Sequence, residues 1–202
     1  MTMRIGFIGP VGDTDLSVLR EATEFLLGDA DAEQAIYLGE DNAADRLAET
    51  WMAELEEATV GDFLARAASL AIDGTPGAID KLLERDEQAR RLTRLHTLPP
   101  APARAVEMME DRILLVVHDK SILDEEDIAN ASVIVYGRSK EALLRRFGPR
   151  YFFTPGPLSG GTVGLFEADR DGKVTVAAYA PTGKPLWREV LQGRRSKISV
   201  TG

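Results

Sequence analysis

Two short segments, Ile113–Val117 (Ile-Leu-Leu-Val-Val) and Val133–Tyr136 (Val-Ile-Val-Tyr), are apolar at every position. A strand with one wet face alternates, so unbroken apolar runs of four or five residues predict strands buried on both sides. Glu125–Ala131, between them, reads as a short helix. The chain opens in the same way, with apolar runs at Met3–Ile8 and Ala35–Leu38 flanking Leu16, Leu19, Ala22 and Leu26 at helical spacing. Strands interleaved with helices predict an α/β layered fold with a mixed sheet.

Asp41 to Arg94 is acidic and Ala-rich and reads as helix. Trp51, Leu55, Phe63, Leu64, Leu70, Ile79, Leu82 and Leu83 are its expected buried stripe. The Asp73-Gly74-Thr75-Pro76-Gly77 break divides it into at least two helices, with Pro76 suited to a first helical turn. Leu98-Pro99-Pro100-Ala101-Pro102 reads as an extended connector. Glu141–Phe147 is expected to be helical. Tyr151–Phe153, Thr162–Glu167 and Val174–Tyr179 are expected strands, the last two joined by the turn-forming Asp169-Arg170-Asp171-Gly172. Gly193–Gly202 is a basic tail, expected to be mobile, in which Ile198 and Val200 alternate enough for a last short strand. The whole reads as one domain over 1–202, with a helical insert around 50–105.

Composition removes many functions. The 202 residues contain no cysteine, which excludes zinc ribbons, iron–sulfur clusters, thiol catalysis and disulfide frameworks and fits a reducing compartment. A chain this long buries about 70% of its unfolded surface, enough for a core without such staples. With neither a membrane-length apolar run nor a signal-peptide pattern, the expectation is a soluble cytoplasmic protein. The net charge of −9 is split: residues 1–136 hold 12 basic and 28 acidic side chains, residues 137–202 hold 12 and 5. That split gives one body an acidic and a basic face, or marks a docking surface for a protein partner. Nucleic acid is not an expected partner, because the basic third lacks interleaved aromatics.

The first candidate site is the turn Gly6-Phe7-Ile8-Gly9-Pro10-Val11-Gly12-Asp13, after the first strand. A dinucleotide fingerprint needs Gly-x-Gly-x-x-Gly with amides free for a pyrophosphate. Here the spacing is Gly6-x-x-Gly9-x-x-Gly12, and Pro10 removes an amide. Glu40 sits at the end of the second strand, where a ribose-binding acid would stand. A plain strand-to-helix turn and a nucleotide- or phosphate-binding turn both remain open. No Ser-His-Asp set assembles from the two histidines, His96 and His118.

The second candidate is the series of strand ends. In order they read Gly9-Pro10-Val11-Gly12-Asp13, Leu38-Gly39-Glu40-Asp41, Val117-His118-Asp119, Tyr136-Gly137-Arg138-Ser139-Lys140 and Thr154-Pro155-Gly156-Pro157-Leu158-Ser159. This series resembles the calcineurin-like metallophosphoesterases, in the branch of small bacterial phosphodiesterases and the retromer scaffold subunit. In that family the strand ends read roughly Ser-Asp-x-His-Gly, Leu-Gly-Asp, Gly-Asn-His/Cys-Asp, His-Gly, Gly-His-Thr-His and Asn-Pro-Gly-Ser, and the third of these has no counterpart here. The resemblance covers most of the chain and is weakest between about 50 and 105. It implies a four-layer α/β/β/α sandwich with mixed sheets, and two-metal phosphoester hydrolysis.

Carried over position by position, the implied ligands are missing. Pro10 stands at the first aspartate and Gly12 at the first histidine. Glu40 stands at the bridging aspartate, one methylene longer, with Asp41 beside it. His118 keeps its place, followed by Asp119. Arg138 and Lys140 replace two histidines, and Thr154 replaces the asparagine before Pro155-Gly156. Arg138 and Lys140 are expected either to pair with Glu40, Asp41 or Asp13 in place of metal charge, or to stay solvated. His118 is read as a hydrogen-bonded strand-end residue, and His96 as a surface or capping residue at a helix end. The resemblance therefore implies a catalytically inactive protein-interaction or scaffold module, without catalytic residues or metal ligands and without cofactor. Its partner surface would lie on the acidic insert or the basic C-terminal third, and a homodimer is compatible with it. The alternative is a Mn- or Zn-dependent phosphodiesterase with an altered, mononuclear site on Glu40, Asp41, His118 and Asp13.

Overall fold

The computed structural model describes residues 2–57 and 63–192. Its first strand β1 (Met3–Ile8), helix α1 (Leu16–Glu24) and strand β2 (Gln34–Tyr37) form a parallel β-α-β unit, with Ile5 opposite Gln34 and Ile8 opposite Tyr37. Asp15 caps α1 by accepting the Ser17 amide. Helices α2 (Ala43–Glu57), α3 (Phe63–Asp73) and α4 (Pro76–Leu92) then lead to β3 (Leu95–Thr97), parallel to β2. Thr75 caps α4 on the Ala78 amide, with Pro76 in its first turn. Strands β4 (Ala105–Met109), β5 (Arg112–Val117), β6 (Val133–Tyr136), β7 (Leu143–Phe147) and β8 (Arg150–Thr154) follow. The six-residue α5 (Glu125–Asn130) lies between β5 and β6, started by a reciprocal Asp124–Asp127 capping box. Strands β9 (Val163–Ala168), β10 (Val174–Tyr179) and β11 (Pro185–Val190) complete the described chain.

Both sheets are mixed, one ordered β11-β10-β9-β1-β2-β3 and the other β4-β5-β6-β8-β7. Three buried clusters show the layering. Ile8, Leu19, Leu26, Tyr37, Leu47 and Trp51 join the outer face of the first sheet to α1 and α2. Ile5, Phe7, Leu38, Val116, Val135 and Phe153 fill the space between the sheets. Leu115, Val117, Ile134 and Tyr136 lie on the outer face of the second sheet under Ile122, Leu123 and Ile128. This is the expected α/β/β/α sandwich. No helix among the described residues is long and apolar enough to cross a membrane.

Four expectations need correction. Leu143–Phe147 is a strand, because Gly148 at φ +57° turns it back to pair antiparallel with β8. Leu144 then faces the inter-sheet core while Arg145, Arg146 and Phe147 are exposed at the edge. His96 is an exposed residue of the edge strand β3, not part of a helix end. The connector 98–102 is not extended throughout: the Ala103 amide donates to the Pro100 carbonyl, closing a turn. Finally, Leu64, Ile79 and Leu83 are exposed, while Trp51 and Leu82 of the same expected stripe are buried. The principal partner of α3 is α4 and not a sheet, which leaves part of its apolar surface uncovered. The tail 193–202, with its expected last strand, lies outside the described residues.

Candidate functional site

The loops that follow β1, β2, β5, β6 and β8 bring the nine sequence-derived positions to one end of the sandwich. Their close approach depends on glycine. A Cβ on Gly9 would stand 1.7 Å from the Gly156 carbonyl oxygen, and one on Gly137 would stand 2.2 Å from the Leu38 carbonyl oxygen. The Pro10 carbonyl also accepts the Leu158 amide at 2.9 Å, so the first and last loops are stitched backbone to backbone. Thr154, fully buried, accepts the Gly156 amide on its Oγ1 at 3.1 Å and shapes the last loop, with Gly156 at φ +73°.

The glycine-rich turn has a steric explanation at Gly6 and Gly9 and a conformational one at Gly12. A Cβ on Gly6 would lie 2.9 Å from Leu26 Cδ1, where the turn after α1 packs on β1. Gly9 meets the Gly156 loop, and Gly12 adopts φ +58°. The Val11 amide donates to the Tyr37 hydroxyl at 3.0 Å, and Pro10 has no amide to offer. Asp13 is exposed.

Sequence reasoning missed Tyr37. Its fully buried ring carries a hydroxyl that accepts from Val11 and donates to Asp41 Oδ1 at 2.8 Å. Burial, and then the adjacent Asp41 carboxylate, push the phenol above its ordinary range. The same Asp41 oxygen accepts the Ala43 amide at the start of α2. A tyrosine ending an otherwise apolar strand needs a polar partner, and Asp41 four residues later was the available signal. Tyr37→Phe leaves the Val11 amide unpaired, and urea denaturation is expected to show a loss of about 1–3 kcal/mol.

His118 donates from Nδ1 to the Leu38 carbonyl at 2.7 Å, which leaves Nε2 turned toward Glu40 Oε2 at 3.5 Å. Of the two expectations for Arg138 and Lys140, the pairing with Glu40, Asp41 or Asp13 is not found among the described residues. Arg138 Nη1 instead donates to Asp119 Oδ2 at 2.8 Å, and its amide to the His118 carbonyl. Lys140 is exposed. Loop direction explains the change: Asp119 and Arg138 follow adjacent parallel strands, whereas Glu40 is drawn to the imidazole.

Asp119 also accepts the Ser121 amide, and that bond, followed by the Arg138 guanidinium, holds its carboxyl below the usual carboxylate range. A carboxyl depressed in the folded state contributes stability above its unfolded value and loses it as pH falls through the folded one. The stability difference between the wild type and Asp119→Asn is therefore expected to be constant from pH 7 to about 5 and to shrink below about pH 4. Urea midpoints across that range measure it.

Between these loops and the 97–103 segment lies a cleft of about 450 Å³. Glu40, Asp41, Asp45, Asp119 and His118 line it opposite Pro99 and Pro100, and among the described residues no lysine or arginine does. A two-metal centre needs several carboxylate and imidazole donors converging on one point. Glu40 and His118 meet, but Asp41 is held by Tyr37 and Ala43, Asp119 by Arg138 and Ser121, and Pro10 and Gly12 offer no donor. Among the described residues no group of three or more His, Asp or Glu side chains is placed to hold a metal ion. The donor set does not fit the binuclear centre.

No family profile matches the chain, and no curated protein matches it. Solved structures do. Vacuolar Protein Sorting 29 from Cryptosporidium parvum superposes with a TM-score of 0.54 at 13% identity, covering 95% of this chain and 99% of that one. A conserved protein of Streptococcus pneumoniae, described as a predicted phosphoesterase, gives 0.52 at 10% identity over 94% and 97%. Vps29 from Entamoeba histolytica, a structure complexed with zinc, gives 0.51 at 14% identity over 94% and 100%. At such identities the likeness shows the fold, which is that of the calcineurin-like metallophosphoesterases.

Proposed function

We propose that this chain uses the metallophosphoesterase fold as a protein-interaction module and does not hydrolyse phosphoesters. The observation that carries the reading is the charge of the cleft. Four carboxylates line it and, among the described residues, no lysine or arginine does; only Asp119 has a cationic partner, Arg138 behind it, so an anionic phosphodiester is repelled unless metal neutralises the site. Of the donors that would hold such metal, Pro10 and Gly12 offer none and Asp41 and Asp119 are committed to internal hydrogen bonds, which leaves Glu40 with His118. The same lining suits the basic side chains of a protein partner and disfavours nucleic acid. The resemblance to the branch that includes the retromer scaffold subunit supplies the precedent for a binding role. The absence of cysteine supports a cytoplasmic location.

Nucleotide binding at the Gly6–Gly12 turn has less support, because packing accounts for Gly6 and Gly9, a left-handed backbone accounts for Gly12, and Tyr37 takes the Val11 amide. One observation favours a residual mononuclear site: His118 is oriented by a carbonyl on Nδ1, as metal-binding histidines are, with Nε2 facing Glu40. Manganese or zinc is the ion such a site would take.

Phosphodiester hydrolysis with and without added manganese tests the proposal, using bis-p-nitrophenyl phosphate. The wild type is expected to show no metal-dependent rate above the buffer. The combined reversion Pro10→Asp, Gly12→His, Glu40→Asp is expected to gain bound metal. A Mn-dependent wild-type rate abolished by His118→Ala would overturn the proposal.

A further inference from the structure

We propose that α3 carries the surface through which two copies of this chain associate. Its inner residues Phe63, Ala67 and Leu70 are half-buried, while Leu64, Ala65, Ala68, Ala71 and Ile72 form an exposed stripe. Leu64 is 76% exposed and Ile72 is 80% exposed. A single exposed leucine needs no explanation, but an apolar stripe at 64-68-72 spacing on an amphipathic helix turned outward does.

Three features favour a second copy as the occupant. The first is register. In an antiparallel pair of α3 helices with the twofold axis at Ala68, Leu64 faces the partner subunit's Ile72 on both sides, and the alanines between let the helices approach closely. The second is charge. Each copy carries −9, so association is opposed least through a helix face that carries few charges. The charged residues of α3 are Arg66 and Asp73, and neither falls at the 64-68-72 spacing. The third is area. On α4, which packs against α3, Ile79 and Leu83 are 38% and 53% exposed. With these the four large side chains offer roughly 400 Å² per copy, and a polar rim brings the pair to about 1,200 Å², the lower end of specific interfaces. A weak dimer follows, forming at micromolar concentration. This association is independent of whether the cleft has lost hydrolysis.

Sedimentation velocity on the full chain from about 1 to 100 µM tests it. The wild type is expected to shift from its 22.0 kDa monomer toward twice that mass. The double variant Leu64→Glu, Ile72→Glu sets like charges against each other, and its dissociation constant is expected to rise at least about 100-fold, with an unfolding midpoint equal to that of the wild type at concentrations where both are monomers. The chain has no cysteine, so Ala68→Cys gives a second readout: oxidation is expected to form a covalent dimer much faster than with Lys184→Cys on the β10–β11 turn, which is not part of the stripe. A wild type that stays monomeric at 100 µM would overturn the proposal and leave the face to a different protein. A dimer indifferent to both glutamates, or equal cross-linking at 68 and 184, would overturn it as well. Should the double variant fail to fold, the cross-linking comparison decides.

Discussion

Gly9→Ala is expected to destabilise the protein by about 3 kcal/mol or more, or to prevent folding. The new methyl group would lie 1.7 Å from the Gly156 carbonyl oxygen and 2.9 Å from its carbon. The opposing atoms are backbone, so no side-chain rotation relieves the clash. Either the first loop or the last must move, and the Leu158-to-Pro10 hydrogen bond between them is lost with it. Gly12→Ala, three residues on, meets nothing within 4 Å and costs only its left-handed backbone at φ +58°, about 1–2 kcal/mol. Thermal and urea unfolding of the two variants separates a steric role for the turn from a ligand-binding one. Equal, mild losses at both positions would contradict the loop crossing described above.

Phe153→Ala is expected to cost about 3–5 kcal/mol. Its ring is fully buried between the sheets, 5.2 Å from Phe166, 6.4 Å from Phe7 and 6.3 Å from Trp187. It thus ties β8 of one sheet to β1, β9 and β11 of the other. Gly164 makes room for it, since a Cβ there would lie 2.5 Å from Phe153 Cζ. Phe147→Ala provides the contrast. That ring is 58% exposed on the edge strand and touches Phe152 edge-on, so its loss is expected to be about 1 kcal/mol. Chemical denaturation of both variants measures the difference.

The sequence made the interior of this fold legible and its margins much less so. β1, β2, β5, β6, β8, β9 and β10 read correctly because strands buried on both sides need continuous apolar runs. The edge strands β3, β4 and β11 went unread. Leu-His-Thr, Ala-Val-Glu-Met-Met and Pro-Leu-Trp-Arg-Glu-Val mix polar and exposed positions and are held by a single neighbour each. β7 was misread because Ala142-Leu143-Leu144-Arg145-Arg146 favours helix by composition. Its pairing with β8 prevailed, and Gly148-Pro149 as a two-residue hairpin turn was the overlooked sign.

At the site, the resemblance placed all nine positions at loops on one end of the sandwich. It did not reveal their partners. Arg138 pairs with Asp119 and not with Glu40, and His118 is oriented by the Leu38 carbonyl, a backbone group that carries no residue signature. Such pairings turn on loop paths of a few ångströms, which residue spacing does not encode. The committed carboxylates of Asp41 and Asp119 became visible only with the structure.

We propose that this end of the sandwich does not assemble a two-metal centre. Metal content of the purified chain tests it most directly, measured by elemental analysis after incubation with manganese and zinc and removal of free ion. Less than about a tenth of an equivalent per chain is the expected result, because Glu40 and His118 alone do not retain an ion through washing. One or two tightly held equivalents per chain would contradict the account and return the cleft to phosphoester chemistry.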